Sequence, residues 1–168
     1  MLKPDLLYTR VTEITPESLR RLEIRALLLD VDNTLALHGN PEPFLGTQAW
    51  AAKMVQAGFS ILILSNNTET RVAPFAAQYG LPFLSRACKP LPAGFLQAAK
   101  KLGVPSRQCA VVGDQVFTDL LGAKLSGMRA VLLEPIEKET GGLLSWKRRF
   151  ERPFRKKYST ERSRDSND

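Results

Sequence analysis

A series of short apolar runs, alternating with segments of helical periodicity, constrains the fold more than any other feature of the sequence. The runs lie at 26–29, 61–64, 110–112 and 130–133. Each has the length of a buried strand, and strands that alternate with helices form parallel sheets with helices on both faces. We therefore predict an α/β fold, a three-layer sandwich around a mostly parallel sheet of about five strands, including a short strand at 82–84.

The segments between the runs predict four helices, at 47–57, 69–79, 92–102 and, shorter, about 119–126. A glycine follows each of them, at Gly58, Gly80, Gly103 and Gly127. Glycine just past a helix indicates a left-handed cap, because it has no Cβ to oppose that conformation.

With 168 residues, the chain is long enough for one well-packed domain. We predict this domain at 25–145, with an N-terminal extension at 1–24 that packs on it and a basic aromatic tail at 146–168. The net charge of +7 is concentrated in the tail, where seven basic residues and one acidic residue between 147 and 157 contribute +6. The polar end of the tail, 159–168, is predicted to be disordered.

Aromatic residues recur at every fourth position of the tail: Trp146, Phe150, Phe154 and Tyr158. On a helix this spacing makes one aromatic stripe flanked by cations, although Pro153 interrupts the helix. Such a segment can lie at an anionic membrane surface, contact a nucleic acid backbone or pack on the domain. We favour the membrane surface because the rings share one stripe, and we do not expect a nucleic acid partner.

No apolar segment reaches the roughly 18 to 20 residues of a membrane-spanning helix. The first residues do not have the pattern of a secretory signal, so we predict a cytoplasmic protein, peripheral at the inner face of the membrane if the tail binds there. Cys88 and Cys109 match no metal-binding spacing. We interpret both as small buried apolar residues without a catalytic role.

Polar side chains follow the predicted strands at the points where the strands end. Asp30 and Asp32 follow the first strand, 65–67 the second and 113–114 another. Ligands bind outside the carboxyl ends of the strands in open parallel sheets, so these loops are predicted to converge on one site. A pair of carboxylates there suits phosphoryl transfer, in which one attacks phosphorus and the other moves a proton. By itself, the pair could also be a simple turn.

The order of these motifs resembles that of the haloacid dehalogenase-like phosphatases. The residues that carry the resemblance are Asp30-Val31-Asp32-Asn33-Thr34, Ser65-Asn66-Asn67, Lys89-Pro90 and Gly113-Asp114 with Asp119. The resemblance extends over about 25–133 and implies a Rossmann-like core. Such phosphatases often carry an inserted cap domain, but only 32 residues separate Asp32 from Ser65 and 23 separate Ser65 from Lys89. We therefore predict an open site without a cap domain.

The resemblance implies a role for each motif. Asp30 would be the nucleophile, ionised at neutral pH and forming an aspartyl-phosphate, and Asp32 would be the acid and base. Mg²⁺ would be held by an Asp30 oxygen, the Asp32 backbone carbonyl, Asp114 and, directly or through water, Asp119. An alternative role for Asp119 is to cap the following helix. The substrate-binding residues would be Ser65, Asn66, Lys89, Asn33 and Thr34, with Thr34 and Asn67 also organising their loops and Gln115 facing the substrate. His38 is interpreted as an exposed loop residue.

A closer resemblance extends almost to Arg152 and is to the bacterial YqeG family, in subclass IIIA of the superfamily. It depends on residues 2–5, 86–90, 112–119 and the arginine-rich segment 147–152, together with the motifs at 30–35 and 65–67. That family is similar to mitochondrial phosphatidylglycerophosphate phosphatases. The resemblance implies a lipid phosphomonoester as the substrate and a role in phospholipid biosynthesis. The alternatives are a soluble metabolite, a nucleic acid terminal phosphate, or a phosphate-binding adaptor without catalysis.

Overall fold

We describe the fold from a computed structural model, in which the structure describes residues 2–135 and residue 153. The tail predicted at 146–168 lies outside the described residues, apart from Pro153. The strands are β1 (Leu6–Tyr8), β2 (Ala26–Leu29), β3 (Ser60–Leu64), β4 (Phe83–Leu84), β5 (Cys109–Gly113) and β6 (Arg129–Leu133). The helices are α1 (Pro16–Arg21), α2 (Thr47–Gln56), α3 (Glu69–Ala77), α4 (Pro92–Leu102) and α5 (Leu121–Leu125).

The six strands form one parallel sheet in the order β1-β6-β5-β2-β3-β4. The predicted α/β fold is therefore confirmed. The sheet has one strand more than the predicted number of about five. The additional strand is the segment 6–8 of the predicted N-terminal extension, which pairs with β6. Asp5 anchors that segment by accepting hydrogen bonds from Lys124 Nζ at 2.6 Å and Arg129 Nη1 at 3.1 Å.

Alternate residues of the central strands pack on the two faces of the sheet. On one face Leu27, Leu29, Ile61 and Ile63 belong to a core cluster with side chains of α2 and α3, among them Trp50, Met54, Val72 and Phe75. Helices α4 and α5 pack against each other on the other face, where Phe95 of α4 is completely buried. A Cβ at Gly122 would lie 2.3 Å from the Phe95 ring, so α5 requires glycine at this contact.

The predicted helix ends are confirmed, since Gly58, Gly80, Gly103 and Gly127 all have positive φ. The predicted helix at about 119–126 begins earlier than expected, as a π-helical segment at Val116–Leu120 that continues into α5. A loop alone connects β2 to α2, and the described chain between β3 and α4 contains α3, β4 and their connecting loops. Among the described residues, no helix is both long and apolar enough to cross a bilayer.

The strand order places the ends of three strands side by side. From β2 the chain proceeds outward through β3 to β4, and then returns to the other side of β2 to form β5 and β6. The register aligns Leu29 of β2 with Ile63 of β3 and with Val112 of β5. The loops that follow these strands therefore open at one edge, at the point where the strand order reverses.

Candidate active site

Three buried carboxylates meet at this edge. Asp30 follows β2, Asp114 follows β5, and Asp119 lies in the π-helical segment, with exposed fractions of 8%, 0% and 2%. One carboxylate oxygen from each lies within 4.8 Å of the others. The prediction that Asp30, Asp114 and Asp119 lie close together is therefore confirmed. Closely spaced carboxylate oxygens are the donor set that Mg²⁺ prefers.

Lys89 is the cation at the centre of this cluster. Its Nζ donates to Asp30 Oδ1 at 2.8 Å and to Asp119 Oδ1 at 2.7 Å, and its side chain is 4% exposed. Burial lowers the pKa of Lys89, but the charges of Asp119 and Asp30 and the hydrogen bonds to them raise it by more. The net shift is upward, so Lys89 is a permanent positive charge.

The cluster nevertheless contains fewer positive than negative charges. Burial raises the pKa of Asp30 to about 8, with Lys89 opposing this shift and Asp119 and Asp114 adding to it. The Asp30 carboxyl is therefore harder to ionise at neutral pH than the sequence-based prediction assumed from its ordinary pKa. When all three carboxylates are ionised, Lys89 compensates one of three negative charges. A divalent cation balances the remaining two, so the donor set and its charge fit Mg²⁺.

Asn66 holds the backbone of Lys89 in place. Its Oδ1 accepts from the Lys89 N–H at 2.7 Å, and its Nδ2 donates to the Lys89 carbonyl at 3.2 Å. The side-chain amide of Asn66 therefore makes hydrogen bonds within the protein. Ser65, buried at the end of β3, accepts from the Asn67 N–H through Oγ at 3.1 Å.

The segment that leads to Lys89 packs closely against α4. A Cβ at Gly94 would lie 2.3 Å from the Ala87 carbonyl oxygen, so only glycine permits this approach. Arg86 and Cys88, on either side of Ala87, both have positive φ, at 48° and 55°. This tight turn exposes Cys88, so the prediction that it is buried was wrong, whereas Cys109 is buried in β5 as predicted.

Asp32 lies in a separate network of hydrogen-bond donors. Arg71 Nη2 donates to Oδ1 and Asn67 Nδ2 to Oδ2, both at 3.0 Å. The Gly39 N–H donates to Oδ1 at 3.2 Å, and His38 Nδ1 lies 3.6 Å from Oδ2. His38 is exposed, as predicted, but it adjoins the Asp32 carboxylate. Arg71 was not predicted, because the sequence of a helix does not show which of its charged side chains reaches back to a preceding loop.

The loop after Asp32 forms the turn that its residue types predicted. Asn33 has a φ of 59°, and the N–H groups of Thr34 and Leu35 both donate to the Val31 carbonyl, at 3.2 Å and 2.9 Å. Asn33 and Thr34 are each 1% exposed. Thr34 lines a cavity of about 20 Å³ that Arg10 and Phe44 also line. The role of Thr34 in substrate binding stays a prediction.

Asp119 adjoins the end of β5 and organises the start of the helical segment. Its Oδ2 accepts from the backbone N–H of Gln115, the residue that caps this segment, at 3.2 Å. The alternative prediction that Asp119 is itself the N-cap was wrong, because the helical segment begins three residues earlier. The Gln115 side chain accepts from Thr118 Oγ1 at 3.1 Å.

Comparison with known proteins identifies the family. A model of the haloacid dehalogenase-like hydrolases matches residues 36–127, which contain Ser65, Lys89, Asp114 and Asp119. The chain belongs to the haloacid dehalogenase-like hydrolases. It is also 32% identical over 149 residues to the probable phosphatase YqeG of Bacillus subtilis, with 89% of this chain and 87% of that protein covered.

Solved structures of other proteins share the fold of this hydrolase. A protein from Listeria monocytogenes serotype 4b matches with a TM-score of 0.57 and 18% identity, over 71% of this chain and 86% of that one. A putative subfamily III A hydrolase of the superfamily from Legionella pneumophila matches with a TM-score of 0.53 and 20% identity, over 77% and 81% of the two chains. At these identities the likeness concerns the fold.

Proposed function

We propose that this hydrolase is a magnesium-dependent phosphatase that forms an aspartyl-phosphate on Asp30. The observation that carries the proposal is the buried contact of Asp30 Oδ1 with Lys89 Nζ at 2.8 Å, beside the carboxylates of Asp114 and Asp119. A carboxylate held next to a fixed cation and two further oxygen ligands is suited to attack phosphorus while its charge is balanced. The matching family and the phosphatase relative support the same reaction.

Each step uses groups that lie at this edge of the sheet. An Asp30 oxygen attacks phosphorus, and the bond from phosphorus to the leaving oxygen breaks. Asp32 gives a proton to that oxygen, and then takes a proton from the water that attacks the aspartyl-phosphate and releases inorganic phosphate. Lys89, Ser65 and the Asn66 backbone N–H bind the non-bridging oxygens, whereas the N–H groups of Asn33 and Thr34 donate to carbonyls of their own loop.

Asp30, Asp114 and Asp119 would hold Mg²⁺, together with the Asp32 backbone carbonyl. The bound ion supplies positive charge against the substrate phosphate and the carboxylate cluster. Lys89 keeps Asp30 and Asp119 at a fixed separation through its two hydrogen bonds. Gln115 adjoins this site through the N–H that it donates to Asp119, which supports a position facing the substrate.

We propose a lipid phosphomonoester as the substrate, specifically phosphatidylglycerophosphate, which would be converted to phosphatidylglycerol at a membrane surface. The loops after β2 and β3, at 30–46 and 65–68, hold no inserted domain that would cover the site, which suits a phosphate presented by a large assembly. The resemblance to phosphatidylglycerophosphate phosphatases and the basic aromatic residues at 146–158 support the same choice. In this proposal the protein works from the cytoplasm, with that segment against the anionic lipid.

Phosphate release by the purified full-length protein with Mg²⁺ tests the proposal. Phosphatidylglycerophosphate in anionic vesicles is compared with a panel of soluble phosphomonoesters, and Asp30→Asn is the inactive control. Strong preference for the vesicles is expected. Turnover of soluble esters alone would overturn the lipid substrate and retain the phosphatase. Phosphate binding without any turnover would favour a non-catalytic adaptor and overturn both.

Deleting 147–168 tests the docking segment. The truncated protein should lose activity on vesicles and retain activity on a small chromogenic phosphate ester. Equal loss on the two substrates would contradict a docking role for this segment.

A further inference from the structure

Arg71 is a cation beside Asp32 that the reaction described above does not use. It lies in the first turn of α3, directly after the loop that carries Ser65 and Asn67. From there its guanidinium reaches Asp32 Oδ1 at 3.0 Å and the Asn40 carbonyl at 3.5 Å. Both contacts are made through Nη2. Within the described part of the chain, the N–H groups on Nη1 and Nε have no hydrogen-bond partner.

The position of Arg71 follows from the role of Asp32. In the proposed reaction Asp32 gives its proton to the leaving oxygen, so the leaving group lies beside the Asp32 carboxylate. A guanidinium bound to that carboxylate is therefore on the side of the leaving group. Lys89, by contrast, binds Asp30 and Asp119 on the side of the transferred phosphoryl group. The two cations thus serve different parts of a substrate.

The chemistry of Arg71 indicates what it binds. Its side chain is 25% exposed, so part of the guanidinium is accessible from solvent while Asp32 fixes its orientation. Guanidinium presents planar pairs of N–H donors that match the oxygens of a phosphate or carboxylate. A guanidinium that is oriented by one carboxylate and has unused donors is suited to bind a second anion.

We propose that Arg71 forms a second anionic subsite, which selects substrates whose leaving group carries a further phosphate. This inference rests on the proposed function and narrows its substrate class to phosphomonoesters with a second anionic group a few bonds from the ester oxygen. The headgroup of phosphatidylglycerophosphate has this form, with a phosphodiester on the other side of a glycerol unit. Arg71 contacts the phosphodiester through Nη1 and Nε, while Nη2 continues to orient Asp32.

Two soluble substrates that differ in the second anion test the subsite without a membrane. One is glycerophosphoglycerol phosphate, which is the deacylated headgroup, and the other is glycerol 3-phosphate. The full-length protein with Mg²⁺ should have a higher kcat/KM for the first. Arg71→Gln should reduce this preference by roughly 10- to 100-fold, mainly through KM, because charge-assisted hydrogen bonds are lost. Arg71→Lys should retain part of the preference.

Two variants separate recognition from the positioning of Asp32. Asn67→Ala removes a different hydrogen bond to Asp32 and should lower kcat for both substrates without changing the preference. Arg107→Gln removes an exposed cation just before β5, at the opposite edge of the sheet, and should leave both activities unchanged. A preference that Arg71→Gln leaves at the wild-type value would overturn the subsite, because Arg71 would then act only through Asp32.

Binding measurements keep this inference separate from the phosphatase proposal. In Asp30→Asn with Mg²⁺, calorimetry should show tighter binding of glycerophosphoglycerol phosphate than of glycerol 3-phosphate, and adding Arg71→Gln should abolish the difference. If the wild-type protein hydrolysed neither these compounds nor phosphatidylglycerophosphate in vesicles, the proposed function would fail. The binding comparison would still decide the subsite, since an unchanged difference in the double variant would overturn it.

Discussion

The carboxylate of Asp119 lies against the backbone of Gly113, at the end of β5. A Cβ at position 113 would be 2.3 Å from Asp119 Oδ2 and 2.4 Å from its Cγ. The same carboxylate accepts from Lys89 through Oδ1 and from the Gln115 N–H through Oδ2. The lack of a side chain at Gly113 therefore allows Asp119 to reach the cluster that contains Asp30.

Gly113→Ala should displace Asp119 from Lys89 and weaken the proposed magnesium site. We expect a loss of activity at low Mg²⁺ of at least about tenfold, since disturbing the groups around a metal ligand commonly costs 10- to 100-fold in metal affinity. A Mg²⁺ titration of phosphatase activity measures the shift. An unchanged half-saturating concentration would show that Asp119 is not a ligand, directly or through water.

Lys89→Met should destabilise the protein in the absence of Mg²⁺. The substitution leaves Asp30 and Asp119 buried without their shared cation, and breaking a buried ion pair in this way costs about 3–5 kcal/mol of the free energy of unfolding. Mg²⁺ should recover part of that loss because it supplies positive charge to the same carboxylates. Urea unfolding with and without Mg²⁺ measures both effects, and a loss below about 1 kcal/mol would contradict them.

Gly94→Ala should move the segment that carries Lys89. The new methyl group would meet the Ala87 carbonyl oxygen, and neither backbone can move without repacking α4. We expect a cost of about 1–3 kcal/mol in the free energy of unfolding and a fall in kcat. Gln97→Ala, at an exposed position of the same helix, is the control and should stay within about 0.5 kcal/mol of the wild type. Full activity of Gly94→Ala would show that the loop tolerates the displacement.

The ion pairs of Asp5 should make stability depend on pH. Burial raises the pKa of Asp5, but hydrogen bonds from Lys124, the Ala130 N–H and Arg129, with the charge of Lys124, lower it below its ordinary value of 3.8. Because the folded state has the lower pKa, this contribution is present above pH 3.8 and is lost as the pH falls through the folded value.

Asp5→Asn should therefore be less stable than the wild type at neutral pH, with a difference that shrinks in acid. Chemical unfolding at several pH values below and above 3.8 measures this dependence. Glu17→Gln is the control, because Glu17 is 69% exposed and lies 3.9 Å from Arg20. A difference between Asp5→Asn and the wild type that did not vary with pH would assign the effect to packing.

The sequence predicted most of the sheet and the residues at its carboxyl edge, because those signals are local. Apolar runs identify buried strands, and the order of the motifs implies that Asp30, Lys89, Asp114 and Asp119 meet. The contact between Arg71 and Asp32 could not be predicted, since it depends on the angle at which α3 leaves β3. Strand β1 was missed for a similar reason. Its three residues form a strand only because β6 supplies the hydrogen-bond partners.

The pairing of β1 with β6 also sets an order for building the sheet. Asp5 and Ala130 are 125 residues apart, and among the described strands β1 pairs with β6 alone. While the chain is being synthesised, β1 leaves the ribosome long before its partner β6. The central strands β2, β3 and β5 can assemble in the meantime, because their connections are shorter. Docking of the N-terminal segment is then the closing event, and residues 2–8 remain accessible to chaperones until β6 has emerged.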